Sequence, residues 1–218
     1  MAQTNSSKTP SPIDMDLVIN ELPKDRIFTS EADFQFSLAW AIQEHYREYE
    51  VRLEEVFDWA DNMHFDIVVH TKDGGIIPIE LKYCTKSLPD SYPSKVKLKN
   101  QGAEDVRRYD FIKDVQRIEK AKTCLEQDHD SHFICGYAIM LTNSSLFWKS
   151  RSSRKNQCDS AFRLHEDKGE FGGEMMWVDA SEGTMKGREK PLVTNHYKIV
   201  WKDYPHCSLF RYLSVMIE

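Results

Sequence analysis

The sequence predicts an α/β protein in which a mixed central sheet is flanked by helices. Three observations predict it. A segment of helical period precedes three strand-like runs, a long stretch of helix formers follows them, and the near-continuous apolar run HFICGYAIMLTN reads as a strand buried on both faces. The order α-β-β-β-α-β, closed by two additional C-terminal strands, implies parallel and antiparallel pairing in one sheet with helices packed against it. No internal repeat interrupts the order.

Residues 1–25 are rich in Ser, Pro, Thr and Asp and show no periodic apolar pattern. They predict a flexible N-terminal tail, with a single domain over 26–218. TSEADFQFSLAWAIQEHY reads as a helix: Ser30 caps it with Asp33 three residues on, and Phe34, Leu38, Ala41, Ile42 and His45 recur at helical spacing. YEVRLEEVF is a first strand. FDIVVHT and IIPIELKYC are the second and third, joined by KDGG, a Gly-containing turn of the kind that closes a hairpin. The loop TKSLPDSYPSKVKLKNQ follows, with two prolines and no core periodicity. GAEDVRRYDFIKDVQRIEKAKTCLEQ has no Gly or Pro after its first residue and predicts a helix of about six turns. After the central apolar strand comes a Gly-rich, charged region, and HYKIVWKDY and LFRYLSVMI are the closing strands.

Composition narrows the classes of function. Hydrophobic residues make up 40% and charged residues 29% of 218, ordinary for a soluble globular chain, and no run approaches the roughly 20 apolar residues of a membrane span. The start, MAQTNSSKTPSP, lacks the basic and apolar stretches of a secretory signal, so the protein is expected in the cytoplasm and not at a membrane. Five widely spaced cysteines without a CxxC pair support neither a disulfide framework nor a zinc knuckle. The net charge of −6 is unevenly distributed. Lys82 to Arg108 carries seven Lys/Arg against three Asp/Glu, and KSRSSRK adds Lys149, Arg151, Arg154 and Lys155 with no acid. Such segregation suits a phosphate-facing side on an acidic body.

The hairpin holds the chemistry. Side chains alternate across a strand, so Glu80 and Lys82 share one face. A three-residue loop, Asp-Gly-Gly, would pair Lys72 with Ile76 and set Asp66 opposite Lys82 and diagonal to Glu80. The three charges then converge inside apolar strands. Two close carboxylates repel unless a cation lies between them, and Mg²⁺ uses one or two carboxylates together with water and substrate phosphate. A neighbouring lysine orients the attacking water or stabilises charge developing at phosphorus.

An Asp, thirteen residues, then Glu-Leu-Lys, on a hairpin between two helices, resembles the active site of the PD-(D/E)XK nuclease superfamily over about residues 29–143. The resemblance implies a restriction-endonuclease-like αβββαβ core and Mg²⁺-dependent, or Mn²⁺-dependent, cleavage of phosphodiester bonds in DNA by an endonuclease. It implies Asp66 and Glu80 as metal ligands and Lys82 at the attacking water. Phe65 stands where the family name has proline. Many members bring an acid from the first helix; Glu31 shares the helix side of Phe34, Gln35 and Leu38 and fits that role. Arg108, on the Phe111, Ile112 and Val115 side of the long helix, is the candidate for holding the scissile phosphate, with Lys149, Arg151, Arg154 and Lys155 as further DNA contacts. One active site per chain cuts one strand, so a homodimer would account for double-strand cleavage.

A second acid-x-Lys triplet, Glu166 to Lys168, lies in a polar stretch and is discounted. HDSH, His129 to His132, joins a helix to a strand in a polar turn and reads as solvated. Trp177, Trp201 and Tyr204 are candidates for stacking on bases, set against core roles. No GxSxG, P-loop or GxGxxG motif supports acyl transfer, nucleotide hydrolysis or dinucleotide chemistry. The alternative reading is a non-catalytic nucleic-acid-binding or protein-interaction module on the same fold.

Overall fold

The two most apolar strands take the centre of the sheet. β3 (Gly75–Cys84) and β5 (Gly136–Thr142) are buried along almost their whole length and pair in parallel. The structure is a computed structural model and describes residues 12–24, 26–57, 63–92, 95–150 and 158–218. On one side of the central pair, β1 (Glu50–Phe57) and β2 (Met63–His70) continue β3 as an antiparallel meander. On the other, β9 (Arg211–Ile217) pairs antiparallel with β5, and β8 (Trp201–Asp203) with β9. A two-residue strand, β4 (His132–Phe133), also runs parallel to β3. The result is a mixed sheet of order β1-β2-β3-β5-β9-β8. Parallel neighbours need a crossover, and α3 (Glu104–Leu125) supplies it between β3 and β5.

Each face of the sheet has its own core. Ile77, Ile79, Leu81 and Tyr83 of β3 pack toward α2 (Glu31–His45), which buries Phe34, Leu38 and Ile42. Ile76 and Cys84 pack toward α3, which buries Phe111, Ile112, Val115 and Ile118. The alternation of β3 therefore fixes where its two charged residues point. Glu80 and Lys82 share parity with Ile76 and Cys84, and so lie beneath α3.

The N-terminal expectation is corrected over the described residues. The stretch read as part of a tail contains α1 (Met15–Glu21), capped by Asp14, whose carboxylate accepts the Leu17 N–H at 3.1 Å. Ile13, Val18, Ile19 and Leu22 are buried in the α2-side core, and the Tyr137 hydroxyl donates to the Ile13 carbonyl at 2.7 Å. Two helical turns are marginal alone, and tertiary burial stabilises them, which a search for helical period does not register. HYKIVWKDY is likewise two strands. β7 (Leu192–Lys198) pairs with β6 (Glu170–Glu174) in a separate sheet that covers α3, and the chain returns to the main sheet only at Trp201. Among the described residues no helix is long and apolar enough to cross a membrane.

Candidate active site

The register of the hairpin decides which charges meet. Its loop has three residues, but they are Lys72, Asp73 and Gly74: the Thr71 N–H donates to the Gly75 carbonyl at 2.9 Å, and Gly74 carries the positive φ of +84°. Gly75 is required for a different reason, since a Cβ there would stand 2.1 Å from Ile134 Cδ1. The expected pairing of Lys72 with Ile76 is thus corrected to His70 with Ile76, and the ladder runs to Ile67 opposite Ile79. One further step sets Asp66 against Glu80, not Lys82. The shift is two residues, so parity is kept and Asp66 still reaches the charged end of β3.

There β2 and β3 separate, and acid side chains replace the missing ladder. The Leu81 N–H donates to Asp66 Oδ2 at 2.6 Å, and the Tyr83 N–H donates to Glu31 Oε2 at 2.6 Å. Both donors would be orphaned in the sheet interior without these carboxylates. Glu31 is placed by the start of α2, where the Ser30 hydroxyl accepts the Asp33 N–H at 3.1 Å. Gln35, one turn on, donates to the Asp66 carbonyl at 2.6 Å and to Glu54 Oε1 at 2.7 Å. Glu54 lies across from Asp66 on β1 and adopts φ +52°, a conformation rarely tolerated outside Gly and Asn.

On the α3 side, two residues that the sequence reading did not name complete the site. Lys82 Nζ lies 2.6 Å from Asp114 Oδ2, and Glu80 Oε1 lies 2.9 Å from the Arg117 guanidinium. Arg117 also stands 3.6 Å from Asp114, donates to the His64 carbonyl, and lies over the Phe65 ring. Glu80 is 2% and Asp114 4% exposed. Burial, then the Asp114 carboxylate, pushes the Glu80 carboxyl well above the usual range despite Arg117. Burial pushes Asp114 up to about 7 against the pull of Lys82. Burial works against the Lys82 ammonium, but Asp114, with Glu31 and Glu80 behind it, outweighs that and raises its pKa. Burial also raises Glu31, against the Tyr83 N–H and Lys82. The signal for Asp114 was legible, since it lies about 60° from Phe111 and about 40° from Ile118 around the helix, whereas Arg117 stands about 100° from Ile118, off that apolar side.

Arg108 is corrected from phosphate contact to structural pin. It is 3% exposed, pairs with Asp159 at 3.2 Å, donates to the Leu146 carbonyl at 3.2 Å and lies over the Phe147 ring. Its neighbour Arg107, turned about 100° around α3, is half-buried and close enough to act electrostatically on Glu31 and Asp110. Arg108→Ala is expected to destabilise the fold by about 3 kcal/mol by leaving Asp159 with less compensation. Arg107→Ala should cost under about 1 kcal/mol, as for other partly exposed charges. Chemical denaturation of both variants checks the contrast.

Lys149 is exposed, while Arg151, Arg154 and Lys155 lie outside the described residues. Trp201 and Tyr204 are buried, with the Trp201 indole donating to the Leu164 carbonyl at 2.7 Å, and Trp177 packs on Phe162 with ring centroids 4.7 Å apart. These aromatics belong to packing and not to an open stacking surface. His132 stands 3.9 Å from Asp73, and the five cysteines are unbridged.

Among the described residues no group of three or more His, Cys, Asp and Glu is arranged to hold a metal ion. The donor set on offer is the pair Asp66 and Glu80, oxygen donors at facing positions of β2 and β3. That set fits a hard cation that takes one or two carboxylates and completes its shell with water and phosphate, and it does not fit a metal needing a full protein cage. Comparison of the chain with protein-family models, curated proteins and solved structures returns no match.

Proposed function

We propose that the protein is a divalent-metal-dependent nuclease that hydrolyses phosphodiester bonds in DNA, with a restriction-endonuclease-like core. The observation that carries this reading is the strand β3 itself. In a run otherwise buried and apolar, Glu80 and Lys82 sit side by side, and Asp66 is drawn to the same place from β2 by its bond to the Leu81 N–H. Charges buried in a central strand are costly, and structural economy alone favours apolar residues there.

Asp66 and Glu80 are the residues that would hold Mg²⁺ or Mn²⁺; when bound, the ion would neutralise their mutual repulsion and polarise the phosphate. The chain's own groups do the rest. Lys82, held by Asp114, presents a fixed ammonium beside the acids, where it orients water and meets charge developing on phosphate oxygens. Glu31 keeps the end of β3 in place through the Tyr83 N–H and adds negative charge beside Lys82. Arg107 is the cation placed to contact an incoming phosphate, the role expected of Arg108.

Incubation of supercoiled plasmid with the purified protein and Mg²⁺ is expected to give nicked and then linear DNA, and EDTA to stop it. Intact plasmid in Mg²⁺ and in Mn²⁺, with RNA also uncut, overturns the reading. The second reading, a nucleic-acid-binding module without catalysis, is favoured by one observation: Glu80 and Lys82 already have partners on α3, as in a self-compensating structural network. Binding without cleavage in the same assay selects it.

A further inference from the structure

The structure sorts the seven basic residues between Lys82 and Arg108 into two groups. Three are neutralised: Lys82 by Asp114 and Lys86 by Glu104, both at 2.6 Å, and Arg108 by Asp159 at 3.2 Å. Lys95, Lys97, Lys99 and Arg107 remain, and among the described residues no side-chain hydrogen bond or ion pair engages their charged groups. The three lysines are exposed and alternate with Val96 and Leu98, which tuck into the core on the α2 side of the sheet. Alternation of this kind is that of an extended chain, and it places the ammonium groups on one side at intervals of about 6.6 Å, over about 13 Å in all.

This segment is anchored next to the candidate active site. The Gln101 N–H donates to the Thr85 carbonyl at 2.9 Å, the Thr85 N–H donates to Gln101 Oε1 at 2.8 Å, and the Thr85 hydroxyl donates to the Lys99 carbonyl at 2.8 Å. Thr85 follows β3 directly, two residues after Tyr83, whose N–H meets Glu31. The row of lysines therefore ends where the acids and Arg107 begin.

We propose that Lys95, Lys97 and Lys99 form a rail for the phosphate backbone of one nucleic-acid strand and lead it to Arg107. The proposal rests on the nuclease reading for where the strand arrives, and on the lysines themselves for the contact. Evenly spaced, unneutralised ammonium groups on an anchored backbone match a polymer with a charge at every repeat. Lysine meets phosphate as a point charge without reading bases, so the rail carries affinity and position but no sequence preference. Outside the basic segments 82–108 and 149–155, each at +4, the chain carries a net −14, which disfavours a polyanion on the rest of the surface.

The test is the triple variant Lys95→Gln, Lys97→Gln, Lys99→Gln, beside a charge-matched control, Lys24→Gln, Lys186→Gln, Lys198→Gln, at exposed positions elsewhere. Fluorescence anisotropy with a labelled DNA duplex in EDTA, over 50 to 200 mM salt, reads the slope of log affinity against log salt. The rail variant is expected to lose roughly two to three units of slope, about 0.9 for each phosphate contact, and to bind at least about tenfold more weakly, while the control stays near wild type. A rail slope equal to the control overturns the proposal; wild-type cleavage in the same preparation then leaves the nuclease reading standing. Salt-dependent binding through the three lysines with no cleavage in Mg²⁺ or Mn²⁺ supports the rail and removes the nuclease. Failure of the wild type to bind DNA or RNA at 50 mM salt, with capture of an acidic protein instead, overturns the rail.

Discussion

Replacing Lys82 by methionine is expected to lower the single-turnover cleavage rate by about 10² to 10³, the usual cost of removing one preorganised charge from a transition state. Metal affinity should stay equal or tighten, because a cation leaves the neighbourhood of Asp66 and Glu80. Stability responds through a separate route. Lys82 is 15% and Asp114 6% exposed along their side chains, and breaking a buried pair from one side costs about 3 to 5 kcal/mol. Asp114 is already pushed up to about 7, so without Lys82 it rises further and is held protonated. A carboxyl with a raised folded pKa contributes stability that is fully present below its unfolded value, near 4, and lost as pH rises through the folded value. Lys82→Met should therefore be nearly neutral at pH 4 and most destabilised at pH 8. Adding Asp114→Asn should restore most of the stability and none of the rate, and Lys82→Arg should rescue poorly, since a planar fork does not fit the place of a compact ammonium. Thermal melts across pH beside rapid-quench cleavage separate the two roles: a wild-type rate in Lys82→Met sinks the catalytic assignment, and no recovery in the double variant sinks the pairing.

Glu80→Gln should have the opposite effect on the fold and an equal or larger one on activity. The glutamine keeps the shape but removes a carboxylate forced well above its ordinary pKa by burial and by Asp114. Repulsion on Asp114 is relieved, and Arg117 keeps its contacts with Asp114 and the His64 carbonyl. Stability at pH 8 should hold within about 1 kcal/mol or rise. The fall in stability between pH 4 and 8, to which the raised Glu80, Asp114 and Glu31 carboxyls all contribute in the wild type, should become shallower. Loss of a ligand should abolish Mg²⁺ binding and lower cleavage by about 10³ or more, several kcal/mol of transition-state stabilisation. Isothermal titration with Mg²⁺ in two buffers of different ionisation enthalpy reads the linkage directly: the wild type should release protons on binding, and Glu80→Gln should show no binding heat. Undiminished Mg²⁺ binding by Glu80→Gln would falsify the ligand assignment.

Local chemistry made much of this legible. Ser30 and Asp33 marked the start of α2, and that start is what delivers Glu31 to Tyr83. The absence of Gly and Pro after Gly102 marked α3, and the apolar run marked β5 as central. The charges of β3 stood out because strands of that composition rarely carry them. Less legible were features whose energy comes from distant chain. α1 is too short to announce itself and is held by Tyr137 and Tyr212 from β5 and β9. Arg107 and Arg108 are adjacent in sequence and differ only in which side of α3 meets Asp159.

By itself, then, the sequence determined the order of the core elements from α2 through β3, α3 and β5, the length of the hairpin loop and the parity that sets Glu80 and Lys82 on one face, because each depends on period, capping and turn chemistry within a few residues. Tertiary structure alone decided the rest. The close approach of Ile134 made Gly75 the contact glycine and left Gly74 the positive φ, which moved Asp66 from opposite Lys82 to the Glu80 side. The packing of α3 on β3 supplied Asp114 and Arg117 as the partners of Lys82 and Glu80, and so turned three local charges into a coupled network. The pKa values follow from burial and from groups brought together across more than thirty positions of chain, and such energies have no local sequence pattern to betray them.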